Sequence, residues 1–106
     1  MADRLNQLLL FLEENPNSPF ILFALAKEYE KLGNQSQAGH HFKQLVQDHP
    51  EYVGTYYHYG KWLEEMEAPE EALDIYAKGI EVATQEKDQH AKSELMNAKM
   101  NLELEL

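Results

Sequence analysis

Five histidines are the residues of this chain best suited to bind a metal or move a proton near neutral pH: His40, His41, His49, His58 and His90. Zinc held on a helix needs two ligands three or four residues apart, because only that spacing turns both side chains to one face. No two of these histidines stand so, and the adjacent His40 and His41 point to different faces. The three serines lie outside any strand-turn-helix elbow that would expose a nucleophile. Gly33, Gly39, Gly54, Gly60 and Gly79 are too scattered to cradle a phosphate. Glu64, Glu65, Glu67, Glu70 and Glu71 cluster on a helix turn, where a solvated, aggregation-limiting face is the simplest role. There is no cysteine, hence neither thiolate chemistry nor a disulfide framework. Nothing here makes an enzyme, and no metal or cofactor is expected.

The composition narrows the partners. The chain has 106 residues, 43% hydrophobic and 26% charged, the mixture of one small globular domain. Nineteen acids against nine bases give a net charge of −10. That balance argues against binding nucleic acid through its phosphates, which needs a lysine and arginine surplus, and against an anionic membrane surface. The longest apolar run, Phe20 to Ala26, is far short of a bilayer span. The opening MADRLNQLLLFLEEN has Arg4 as its one cation and no small-residue cleavage site after it, so no signal peptide is expected. A cytoplasmic location is the expectation. The acidity is uneven: six acids and four bases fall in residues 1–50, thirteen acids and five bases in 51–106.

The elements are helical throughout. Leu5, Leu8, Leu9 and Leu12 form one apolar stripe on a first helix of roughly residues 2–14. Asn15 to Pro19 interrupt it; Ser18 is a helix cap and Pro19 a first helical residue, a position that needs no amide hydrogen. The second helix runs to about Leu32 and ends at Gly33-Asn34, where glycine can take the left-handed conformation. Further helices are expected over about 35–48, 51 or 52 to 66, 69–84 and 88–103. No segment alternates as a strand does, so the chain reads as all-α, with two- to five-residue connections that force neighbouring helices antiparallel.

Shifting the sequence by 34 residues superposes the second helix on the fourth and the third on the fifth. Leu22 falls on Tyr56, Leu25 on Tyr59, Ala26 on Gly60, Tyr29 on Leu63, Ala38 on Ala72 and Phe42 on Tyr76. Small residues at a helix crossing let backbones approach, while large ones a turn away fill the flanks. The first copy reads L-x2-L-A-x2-Y, then Ala38, Phe42 and Pro50; the second reads Y-x2-Y-G-x2-L, then Ala72 and Tyr76. This pattern resembles the tetratricopeptide repeat, W-x2-L-G-x2-Y followed by A-x3-F and P. The resemblance implies an antiparallel helix-hairpin array of about six helices in one domain, residues 1–106. It would comprise an N-terminal capping helix (1–16), repeats over 19–52 and 53–86, and a C-terminal solvating helix (88–104). Departures exist. Thr84 replaces the second closing proline, Glu67-Ala68-Pro69 replaces the Gly33-Asn34 turn, and Gly79 stands where the first copy has Leu45. Arg4 and Glu94 stand where the terminal helices would carry the small residue.

In this family the first helices of the repeats line a concave groove that receives an extended peptide or a helix. Carried over, the groove positions are Phe20, Phe23, Lys27, Glu30 and Lys31 in the first copy. In the second they are Gly54, Tyr57, His58, Lys61, Glu64 and Glu65, and on the last helix Asp88, Ala91 and Leu95. The aromatic pair Phe23 and Tyr57 beside the lysine pair Lys27 and Lys61 suits apolar anchoring with attraction for a carboxylate. Phe23, Ala24, Tyr57 and His58 occupy positions where the family's clamp for acidic chaperone C-termini needs lysine and asparagine, so such a ligand is not expected. The expectation is a non-catalytic module binding a peptide or protein segment. The alternative is an adaptor that self-associates, as a homodimer through the N-terminal helix, because Leu10 and Phe11 lie off its apolar stripe.

Overall fold

A computed structural model of the chain describes residues 3–106. Among them are six helices: α1 (Asp3–Glu14), α2 (Pro19–Lys31), α3 (Gln35–Asp48), α4 (Gly54–Glu65), α5 (Pro69–Gln85) and α6 (Gln89–Glu105). No strand occurs among the described residues. The expected start of the first helix at residue 2 lies outside them. The fold divides into two compact units, residues 1–49 and 50–106.

Unit 1 packs α1 on α2 and α2 on α3. Leu8, Ile21 and Leu25 form a buried cluster bordered by Leu5, Leu12, Ala24 and Tyr29. Three members of the expected α1 stripe are therefore seated, while Leu9 stays 37% exposed. Ala26 and Ala38 are wholly buried, as are Phe42 and Leu45. The Ser18 hydroxyl accepts from the Ile21 N–H at 3.3 Å, so the cap read from the sequence forms. Arg4 closes the unit at α1: its guanidinium lies 3.5 Å from the carboxylate of Glu28, a buried residue of α2. The position that breaks the repeat pattern is thus the one that neutralises a buried acid.

Unit 2 packs α4 on α5, α5 on α6 and α4 on α6. Two glycines set its tightest approaches. A methyl group at Gly60 would overlap the ring of Tyr76 on α5. One at Gly79 would fall 2.5 Å from the Tyr56 Cβ and 3.0 Å from a Leu95 methyl. Tyr56 and Tyr76 are both fully buried, yet each phenol keeps a polar partner. Tyr56 donates to the Pro50 carbonyl, and Tyr76 donates to the Glu64 carboxylate.

Three helices end alike. After α2, α4 and α5, one residue takes a left-handed backbone: Gly33 at φ 81°, Glu67 at 59° and Lys87 at 60°. In each case two amides turn back onto the last turn: Gly33 and Asn34, Glu67 and Ala68, Lys87 and Asp88. The helix bounds match the sequence reading closely except at α4. It begins at Gly54 and not at residue 51 or 52, since Pro50 and Glu51 form a turn and Val53, with helical angles, stands just before the helix.

Candidate interaction surface

The residues singled out on α2 sit on a short, well-anchored helix. Buried Ile21, Leu22, Leu25 and Ala26 take one side. By helical period Phe20, Phe23, Lys27 and Lys31 share another. Phe20 is 70% exposed, an aromatic ring left in solvent. Phe23 and Lys27 are half-buried and Lys31 is exposed. The Lys27 ammonium lies 3.1 Å from the Glu30 carboxylate, so this lysine already has an anion one turn along.

On α4, Tyr57 and His58 are half-buried and meet edge to face with centroids 5.4 Å apart. Lys61 is exposed, with its ammonium 5.9 Å from the centre of the Tyr57 ring. Tyr57 therefore touches both His58 and Lys61 on α4. The two lysines that the shift equates differ in partner: Lys27 pairs with a carboxylate, Lys61 with a ring. Glu64, expected as a groove acid, is drawn inward by the Tyr76 hydroxyl. Burial, then that carboxylate, push the Tyr76 phenol far above its ordinary range.

Other expected positions fall differently. Gly54 and Glu65 are exposed on α4, and Glu30 is half-buried on α2. Asp88 is occupied at the start of α6, where its carboxylate accepts from the Ala91 N–H at 3.0 Å. Leu95 is a correction. It is buried against Gly79 and belongs to the core of unit 2, so it presents nothing to a ligand. The glycine at 79, noted as a departure from the first copy, is the sequence signal for that pocket.

Two further features are set by packing and not by spacing along the chain. His41 is buried on α3, stacked on Tyr29 with ring centroids 5.6 Å apart. Burial, then neighbouring His40, hold its imidazole below the usual range, against a hydrogen bond with Gln44. On α6 the outward face carries exposed Met96, Met100 and Leu104, so the helix expected to be a polar, solvating end has an apolar strip. Among the described residues no group of three or more histidine, aspartate or glutamate side chains is placed to hold a metal ion. No described helix is long and apolar enough to cross a membrane.

The chain is similar to solved structures over most of its length. A solution NMR structure of a tetratricopeptide repeat domain protein from Salinibacter ruber is 48% identical, with 83% of this chain and 89% of that chain covered and a TM-score of 0.80. A crystal structure of a tetratricopeptide repeat domain protein from the same organism is 48% identical, with 81% and 97% covered and a TM-score of 0.77. No protein-family model matches the sequence, and no curated protein does.

Proposed function

The chain belongs to the tetratricopeptide repeat family, and from that premise we propose that it is a non-catalytic module that binds a peptide or protein segment through its first helices, in the concave groove such helices line in this family. The observation that carries this is the Tyr57, His58 and Lys61 cluster on α4, echoed by Phe23 and Lys27 on α2. An aromatic edge removes apolar surface from water while a lysine beside it attracts a carboxylate. Glu30 and Glu65 supply acid nearby, so a ligand of mixed charge fits better than a wholly acidic one. Local sign outweighs the −10 background at these contacts, and that background repels non-specific anions. The test is a peptide selected from a random library against the full chain. Its binding should drop at least about tenfold when Lys27 and Lys61 are both changed to glutamate, which is about 1.4 kcal/mol. Salt should weaken it modestly, because the aromatics supply the remainder. Full binding by the folded double variant overturns the proposal.

A second reading rests on α1. Leu10 and Phe11 are each more than half exposed, 59% and 51%, which favours self-association through that helix. Changing both to glutamine should then lower the mass measured by light scattering without loss of helicity; a parent that is already monomeric removes this reading.

A further inference from the structure

Lys61 and Glu64 stand on α4 at the spacing of Lys27 and Glu30 on α2, three residues apart on one helix face, and the 34-residue shift equates the two pairs. In unit 1 the pair closes, with the ammonium 3.1 Å from the carboxylate. In unit 2 it stays open. The Glu64 carboxylate accepts from the Tyr76 hydroxyl of α5. Among the described residues Lys61 makes no ion pair, either with Glu64 or with Glu65 four residues on. The same shift sets Phe42 against Tyr76, so unit 1 has a ring at this place but no hydroxyl to divert its acid. The change of partner goes with one hydroxyl.

Physical chemistry favours that hydroxyl over the lysine. A phenol and a carboxylate form a charge-assisted hydrogen bond, and this one is part-buried, where water competes less. Burial, then the Glu64 carboxylate, keep the Tyr76 phenol protonated far beyond neutral pH, so the donor is permanent. A lysine and a glutamate on an exposed helix face gain little from each other, because water and salt screen both. Glu64 therefore stays with Tyr76, and Lys61 keeps its ammonium 5.9 Å from the centre of the Tyr57 ring. At Lys27 an incoming carboxylate competes with Glu30 and is repelled by it. At Lys61 it meets a cation and a ring without that competitor. On the premise of the groove function above, we propose that the ligand sets a carboxylate on Lys61 and an apolar group against Tyr57, and that the Tyr76 hydroxyl is the positioning group that keeps Lys61 available by holding Glu64. The partner is then a segment with an acidic group beside an apolar one, and Lys27 is the lesser of the two lysines.

The probe is the library-selected peptide, titrated into the full chain by calorimetry. It is made with a free and an amidated C-terminus, and with each acidic side chain changed in turn to its amide, which tells a terminal carboxylate from a side-chain one. Lys61→Met should weaken binding about fivefold and Lys27→Met about twofold. One change from acid to amide should weaken the parent as much as Lys61→Met does, and add nothing on that variant. Tyr76→Phe should weaken binding about threefold, and adding Glu64→Gln should bring it back to within about twofold of the parent. Mere damage to the core would not be repaired by that second change. Without peptide, a crystal structure of Tyr76→Phe should show the Glu64 carboxylate turned to the Lys61 ammonium. Equal losses from the two single lysine variants overturn the proposal, as does a peptide indifferent to every amide change. So does Tyr76→Phe that binds as the parent does, that Glu64→Gln fails to repair, or that leaves Glu64 where it was. These outcomes leave the groove reading standing; full binding by the Lys27→Glu/Lys61→Glu chain overturns that reading, and this inference with it.

Discussion

The two units follow one 34-residue plan and fill it in opposite ways. Where unit 1 has Leu22, Ala26, Phe42 and Leu45, unit 2 has Tyr56, Gly60, Tyr76 and Gly79. Two side chains grow by a hydroxyl or a ring, and two shrink to nothing. The geometry shows the exchange directly, since the Tyr76 ring takes the space a side chain at 60 would need, and Tyr56 and Leu95 take the space at 79. Volume at a crossing is conserved as a sum, so the backbone plan survives the change of residue types. The exchange brings polar consequences. The exchange gives unit 2 the fully buried phenols of Tyr56 and Tyr76, which it satisfies with the Pro50 carbonyl and the Glu64 carboxylate. Unit 1 instead buries a carboxylate answered by Arg4, and an imidazole whose Nδ1 lacks a partner.

The comparison breaks most visibly at the glycines. Gly60→Ala or Gly79→Ala should destabilise the protein by ~2–3 kcal/mol or more, since neither a buried tyrosine ring nor a Cβ can retreat in a filled core. The equivalent change in unit 1, Ala26→Gly, should cost only about 1 kcal/mol through helix propensity and a lost methyl. Urea melts followed by circular dichroism measure both; equal losses would show that the crossings are not differently filled.

Acid and alkali should separate the units next. His41 is held below its ordinary value, so under about pH 6.5 the unfolded chain takes up a proton that the folded one refuses, and stability falls with falling pH. Tyr56, Tyr59 and Tyr76 are held above theirs, chiefly by burial, so stability falls as pH rises beyond about 10. Trp62 is the chain's one tryptophan and lies in unit 2, so its emission follows the alkaline edge. Amide exchange on α3 follows the acid edge, which His41→Phe should shift to lower pH.

The smallest effects belong to the helix ends. Gly33 takes its left-handed conformation freely, whereas Glu67 takes the same one against its Cβ. Glu67→Gly should stabilise by up to about 1 kcal/mol, and Gly33→Ala should destabilise by about as much, both read from melting curves. Thr55→Val sharpens the same ledger in unit 2: its hydroxyl is buried with no partner, so losing it should be neutral or gain a few tenths of a kcal/mol.

Much of the fold is legible in the sequence because its signals are local. The bounds of α3 and the cap at Ser18 follow from residues within a turn of each helix end. What escapes is set across helices. No spacing rule pairs Arg4 with Glu28, and none makes Tyr56 reach back to Pro50 past the start of α4. Leu95 reads as a surface position when the shift alone places it; the vacancy at Gly79 puts it inside. The candidate surface is legible as residue types, since Phe23, Lys27, Tyr57 and Lys61 recur at one interval, but the different partners of the two lysines are not.

The central claim, that the first-helix faces of both copies bind ligand, is tested most directly by amide chemical-shift mapping of the full chain titrated with a library-selected peptide. The account predicts the largest shifts at Phe23 and Lys27 on α2 and at Tyr57, His58 and Lys61 on α4. Shifts confined to α1 or to the Met96–Met100 strip of α6, with α2 and α4 unmoved, would contradict it.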